Sequence, residues 1–92
     1  MKELPQQLVP YRRTPTFTET SVPRGLLADH KTKQGVWGLL TVESGEIAYV
    51  ITEAGQEEEI LVRPGAPGVI APQQRHHVRP QGAVSFHVQF LR

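Results

Sequence analysis

The chain has 92 residues, a formal net charge of +1 and no cysteine. This length predicts a single domain spanning residues 1–92, because so short a chain cannot fill two independent cores. Lysine and arginine are scattered along the chain, so nucleic acid is not expected as a partner. The absence of cysteine excludes disulfides, thiolate metal ligands and cysteine nucleophiles.

The sequence also predicts where the protein is located and whether it forms oligomers. No apolar run approaches the roughly 20 residues needed to span a bilayer, and the N-terminal stretch lacks the apolar core of a signal peptide. We therefore expect a cytoplasmic protein with no membrane partner. A domain of this size has a modest core, and burying one face against a second copy would stabilise it, so a homodimer is expected.

The first predicted elements are short strands, because eight glycines and eight prolines leave few stretches long enough for a helix. Residues 11–18 alternate polar and apolar side chains, but Pro15 restricts them to the edge of a sheet. Residues 24–30 are predicted as the second strand. Residues 35–42 and 46–52 are predicted to pair as a hairpin, since Ser44-Gly45 between them supplies the positive φ that a tight turn needs.

The remaining strands complete an all-β pattern. Residues 57–63 follow a second turn, a proline- and glycine-rich break leads to the short apolar stretch 69–72, and residues 83–91 alternate strictly. About seven short strands, with turns about every 8 to 12 residues, indicate an antiparallel sandwich or small barrel.

Alternation on the last strand decides which of its side chains act together. The Val and Phe side chains between Val84 and Phe90 share one face, and His87 and Gln89 share the other. In a sandwich the Val/Phe face packs the core and leaves His87 and Gln89 on solvent or on a dimer surface. In a barrel with a partly polar interior, the same alternation aims them at a ligand. The sequence leaves both arrangements open.

Histidines are the main candidates for chemistry. A first-row metal such as Zn, Fe or Ni could be held by His30, His76 and His87, with Gln89 or water completing the shell, because neutral imidazole suits these ions. His77 points away from His76 on an extended strand, so one site will not use both. The competing interpretation is that all four histidines are turn, strand-end or surface residues.

Two other groups could contribute to a site. Arg75 and Arg79 flank the adjacent histidines and could grip an oxyanion or a small carboxylate, or they could be solvated. Trp37 lies beside Gly35 and Gly38, where it packs in the core or walls a pocket.

The stretch "GAPGVIAPQQRHH" resembles the second motif of the cupins, in which a glycine turn leads through an apolar strand to a proline and a histidine. Gly65, Pro72 and His76 match that pattern. The upstream "LTVESGEIAYV" is similar to the end of the first cupin motif, which turns at a Gly-Glu pair, here Gly45-Glu46.

A more specific resemblance is to the small cupin-like domain of the TehB/YeaR type, from about residue 23 to residue 90. It rests on the order His30, Lys33, Gly35, Trp37, on "APQQRHHV", and on "FHVQF" near the end of the chain. The resemblance implies a double-stranded β-helix, or jelly roll. It also implies a link to tellurite resistance or another stress response, and His76 as the favoured site residue.

The chain departs from the metal-binding cupins at the first motif. The two histidine positions of those proteins fall near Thr32 and Gln34, and their glutamate position falls near Trp37 or Gly38, so the usual ligand set is incomplete. Arg75 stands where the family usually has an aromatic residue. The chain also lacks an S-adenosylmethionine-binding domain, so the resemblance does not imply methyl transfer.

Three functions follow as hypotheses. The first is a module that binds a metal ion or a small polar ligand in the barrel pocket, with Trp37, Arg75 and Gln89 as ligand-binding residues beside the metal set His30, His76 and His87. The second is a metal-dependent cupin enzyme with a reduced histidine set; its catalytic residues are not assigned. The third is a structural interaction domain, which predicts that no pocket contains two or more histidines.

Overall fold

Eight strands and one helical turn make up the fold in the computed structural model, which describes all residues, 1–92. In chain order these elements are β1 (Pro10–Arg13), β2 (Phe17–Thr18), α1 (Arg24–Leu27), β3 (Trp37–Ser44), β4 (Ile47–Glu53), β5 (Gln56–Val62), β6 (Gly68–Ile70), β7 (Arg75–Pro80) and β8 (Ser85–Leu91). No helix has the length and apolar character that crossing a membrane requires.

The strands form two antiparallel sheets that pack face to face. The larger sheet has the order β1-β8-β3-β6, with β2 also paired to β8, and the smaller sheet has the order β5-β4-β7. Their facing side chains form one core of eleven buried residues: Leu40, Val42, Ile47, Tyr49, Ile51, Val62, Ile70, Val78, Val84, Phe86 and Val88. The predicted all-β, cupin-like sandwich is confirmed.

Alternation assigns the faces of the larger sheet as expected for a sandwich. Phe86 and Val88 on β8 are buried, as are Leu40 and Val42, their partners on β3. The intervening side chains therefore point away from the core. The sheet thus adopts the first of the two arrangements that the sequence left open.

The predicted hairpin around Gly45 is wrong, although the predicted backbone conformation is right. Gly45 has φ +79°, but β3 pairs with β6 and β8, whereas β4 pairs with β5 and β7. The Ser44-Gly45 turn is therefore a corner where the chain passes from one sheet to the other. The tight hairpin joins β4 to β5 through Ala54 and Gly55, both with positive φ.

The predicted strand over residues 24–30 is also wrong. Arg24–Leu27 form one helical turn that begins after Pro23, and the Leu26 amide donates to the Pro23 carbonyl at 3.0 Å. The turn packs against β7 with Leu26 half-buried on the core and Leu27 exposed. Over so few residues the propensity for a strand is weak, and packing of the Leu26 side chain on the core outweighs it.

Candidate functional site

Two histidines from distant parts of the chain are brought together by a backbone bridge. After α1 the chain passes along the free edge of β7, where the His30 amide donates to the His76 carbonyl and the His76 amide donates to the His30 carbonyl, both at 2.8 Å. Residues that exchange both hydrogen bonds across an antiparallel pair place their side chains on the same face. The two imidazole rings therefore meet, edge to face, with centroids 5.3 Å apart.

His76 is held in one orientation. Its side chain is 1% exposed, and Nδ1 donates a hydrogen bond to the Gln74 carbonyl at 2.9 Å. Because that bond places the proton on Nδ1, Nε2 carries the lone pair, and it has no partner within the chain. The Tyr49 ring packs edge to face on His76 with centroids 5.8 Å apart, and the Tyr49 hydroxyl donates to the Val69 carbonyl at 2.9 Å.

Burial sets the charge of this group. Desolvation lowers the pKa of His76 below its usual value, against the opposing effect of the Gln74 hydrogen bond. Burial also raises the pKa of Tyr49 well above its usual range, so the phenol stays protonated and remains a donor. The site therefore presents a neutral imidazole near neutral pH.

A cavity of about 230 Å³ opens at the two histidines. Its wall is mostly apolar, and the apolar lining residues are Phe17, Leu26, Ile70, Val88 and Phe90. His30, His76, Thr14 and Thr32 contribute polar groups. The Nδ1 atom of His30 is buried and has no hydrogen-bond partner, which is costly for a polar atom unless something else satisfies it. The cavity thus combines an apolar body with a polar end, as small-molecule sites do.

Comparison with known proteins identifies the family. A family model described as the TehB-like domain matches residues 12–88. The chain belongs to the TehB-like domain family. It is 35% identical over 75 residues to the probable S-adenosyl-L-methionine-dependent methyltransferase TehB of Haemophilus influenzae strain 10810, a match that covers 78% of this chain and 26% of the relative. The chain thus spans about a quarter of the length of that relative.

Two solved structures share the fold of this TehB-like domain. A crystal structure of a protein from E. coli strain K12 superposes with a TM-score of 0.88 and 25% identity, covering 100% of this chain and 97% of that chain. The crystal structure of TehB from Haemophilus influenzae superposes with a TM-score of 0.85 and 26% identity, covering 94% of this chain and 32% of that chain. The resemblance drawn from the sequence is confirmed.

Three of the predicted site residues lie on the outer face of the larger sheet. Trp37 lies on β3, and His87 and Gln89 lie on β8. Each occupies an odd-numbered position, which alternates with the buried even-numbered positions of the same strand. His87 Nδ1 lies 2.7 Å from a carboxylate oxygen of Glu43, and this hydrogen bond is the main cause of a lowered Glu43 pKa. These three residues are separated from the cavity of the TehB-like domain by the sheet itself.

The predicted arginine site also lies outside the cavity. Arg75 and Arg79 occupy the outer face of β7, because His76 and Val78 between them face the core. Arg75 lies 3.8 Å from the Asp29 carboxylate, and Arg79 pairs with Glu59 across the small sheet. His77 is half-buried on the same outer face, so the predicted divergence of His76 and His77 is confirmed.

The donor set does not fit a resident metal ion. Of the predicted ligands, the structure brings together His30 and His76 but not His87. No group of three or more His, Cys, Asp or Glu side chains in the chain could hold a metal. Two imidazoles fall short of the three protein ligands found in catalytic zinc sites. We therefore derive no chemistry through Zn, Fe or Ni.

The sequence did not identify the apolar lining of the cavity. Alternation places Val88 and Phe90 on the inner face and predicts that they pack in the core, and no local signal separates a core residue from a cavity wall. Thr32 is buried through a local turn, where its hydroxyl donates to the Val36 carbonyl at 2.8 Å. The one available signal is the position of His30 upstream of Lys33, Gly35 and Trp37, and the structure places His30 beside His76.

Proposed function

We propose that this TehB-like domain is a small-molecule-binding module whose ligand occupies the cavity between the two sheets. The observation that carries the proposal is the meeting of His30 and His76 at one end of a largely apolar cavity of about 230 Å³. A neutral imidazole with a free Nε2 lone pair accepts a hydrogen bond from a ligand.

The cavity favours a small ligand. Its volume is below the 300–1,000 Å³ of typical ligand pockets, which corresponds to a molecule on the order of ten non-hydrogen atoms. The apolar wall would bury the body of the ligand, and its polar group would lie at the end of the cavity that His30 and His76 mark. In this proposal the ligand requires no metal ion.

The biological setting we propose follows the family. The matched relative is named as a probable S-adenosyl-L-methionine-dependent methyltransferase, of which this chain corresponds to about a quarter. We propose that the domain supplies ligand recognition in a stress response, of which resistance to tellurite is the example that the resemblance implies, and that methyl transfer belongs to the rest of such relatives. The structural interaction hypothesis loses support, because it requires that no pocket contain two histidines.

Binding of hexanamide, a neutral molecule with an apolar chain and one polar group, tests the proposal. We expect amide NMR shifts that saturate and map to the cavity, and we expect them to be lost in Leu26→Trp, where the larger ring fills the cavity from the half-buried face of α1. The matched control is Leu61→Trp, which adds the same ring at an exposed position of β5. The absence of saturable shifts in the wild type, or equal binding by both variants, contradicts the proposal.

A further inference from the structure

A second depression adjoins the cavity and has a different character. It has a volume of about 250 Å³ and shares His30, Thr32 and Phe90 with the cavity. Its lining contains three cationic side chains, Arg12, Lys31 and Lys33, and no acidic residue. We call this depression the basic groove.

The three cations of the basic groove have no partners in the chain. All three side chains, Arg12, Lys31 and Lys33, are exposed. None of them takes part in an ion pair. The cations that do form ion pairs are the N-terminal amine, Arg13, Arg63, Arg75, Arg79 and His87. A cluster of like charges without carboxylates attracts an anion and raises its local concentration.

His30 links the two compartments. It lines both the cavity and the basic groove. A ligand that lies across His30 can therefore place an apolar part against Phe17 and Ile70 while its charged end reaches Lys31 and Lys33.

From this juxtaposition we infer that the ligand is a small amphipathic acid. Its apolar body lies in the cavity and its anionic group, a carboxylate or a comparable oxyanion, lies in the basic groove. This inference rests on the proposed function, and it adds the charge and the orientation of the ligand.

The test compares hexanoate with hexanamide, which share the apolar chain. Only hexanoate has the charge, and only hexanamide has an N–H that can donate to His76 Nε2. We expect hexanoate to bind several-fold more tightly, because two or three exposed ion pairs of up to about 1 kcal/mol each outweigh that one hydrogen bond. Acetate, which has the charge without the chain, should bind more weakly than either. In 1 M NaCl, where the Debye length is about 3 Å, the preference for hexanoate should largely disappear.

Single variants locate the anionic group. Lys31→Ala and Lys33→Ala should each raise the Kd for hexanoate about threefold and leave the Kd for hexanamide unchanged. Both side chains are exposed and unpaired, so neither change removes an interaction of the fold. The matched control is Lys2→Ala, which removes an exposed cation that lines neither compartment and should leave both constants unchanged.

The outcomes separate this inference from the proposed function. Tighter binding of hexanoate that depends on Lys31 and Lys33 supports both. Equal Kd values for hexanoate and hexanamide, or equal effects of Lys2→Ala and Lys33→Ala, overturn the amphipathic acid and leave the binding module intact. If neither molecule gives saturable shifts, the proposed function and this inference are both overturned.

Discussion

His76 stands out at the scale of single residues because its side chain is buried at 1% exposure among the aliphatic and aromatic residues of the core. An apolar residue of similar size would fill the space without the cost of burying a polar ring nitrogen. One nitrogen is satisfied by the Gln74 carbonyl, and the other has no partner in the chain. This arrangement favours a role for Nε2 in binding over a role in packing.

The lowered pKa of His76 makes the stability of the domain depend on pH. In the unfolded chain the imidazole has its ordinary pKa of about 6.5, whereas burial depresses the pKa in the folded state. Below that pH the unfolded state therefore binds the proton more readily, so stability is full above about pH 6.5 and falls as the pH decreases through the folded pKa. We expect urea unfolding to give a lower free energy of unfolding at pH 5 than at pH 7.5.

Two variants test whether His76 causes this pH dependence of the unfolding free energy. His76→Gln removes the buried imidazole, so the difference in unfolding free energy between pH 5 and pH 7.5 should shrink. His77→Gln changes the neighbouring residue on the outer face of β7 and should reduce the difference far less, because the charge of His77 is the smallest of the effects that lower the pKa of His76. An undiminished difference in His76→Gln would assign the effect to other groups.

At the scale of elements, Gly45 joins the two sheets at a point of close approach. A Cβ built on Gly45 would lie 2.2 Å from the Ala83 carbonyl oxygen, and the residue has φ +79°. Both the left-handed backbone conformation and the close approach of the Ala83 carbonyl exclude any residue with a Cβ atom at this position. The corner thereby holds the end of β3 against the chain just before β8.

We expect Gly45→Ala to destabilise the domain by about 2–4 kcal/mol, the sum of left-handed strain and displacement of the Ala83 backbone. Gly55→Ala is the matched control, because Gly55 has a similar φ of +77° but open space around its Cβ. It should cost only the strain, about 1–2 kcal/mol. Chemical denaturation measures both values, and equal losses would show that the contact with Ala83 contributes nothing.

Elements also show how far the sequence could predict the fold. Alternation correctly placed β8 with Phe86 and Val88 inward, because a period of two residues is a local property of the chain. The sequence could not tell a hairpin from a corner at Gly45, since both require positive φ. What distinguishes them is a contact with Ala83, remote in the sequence. For the candidate site, the resemblance pointed to His30 through its order before Lys33, Gly35 and Trp37, and to His76 through the second cupin motif. The apolar residues that line the cavity carry no such pattern.

At the scale of the whole molecule, the surface does not identify a partner. The large apolar residues that are exposed, Met1, Val9, Tyr11, Leu27 and Leu61, are distributed over several elements. Scattered exposed apolar residues are ordinary on the surface of folded proteins. The homodimer therefore stays a prediction from the small size of the domain, to be measured by sedimentation equilibrium.

The position of the cavity between the two sheets links ligand binding to global stability. Its wall takes Ile70 and Val88 from the larger sheet and His76 from the smaller one, so the site exists only while the sheets are packed together. A ligand that binds the folded state alone at about 100 times its Kd stabilises that state by about 2.7 kcal/mol. For a domain of this length, that corresponds to a rise in Tm of about 10–20 °C.

We therefore expect hexanamide to raise the Tm of the wild type in calorimetry, and to leave the Tm of Leu26→Trp unchanged. Leu61→Trp should respond like the wild type, because its added ring lies outside the cavity. The rise should grow with the logarithm of the hexanamide concentration once the site is saturated, as mass action on the folded state requires. Saturable NMR shifts without any rise in Tm would place the bound molecule on a surface that survives unfolding, and would contradict a site formed jointly by the two sheets.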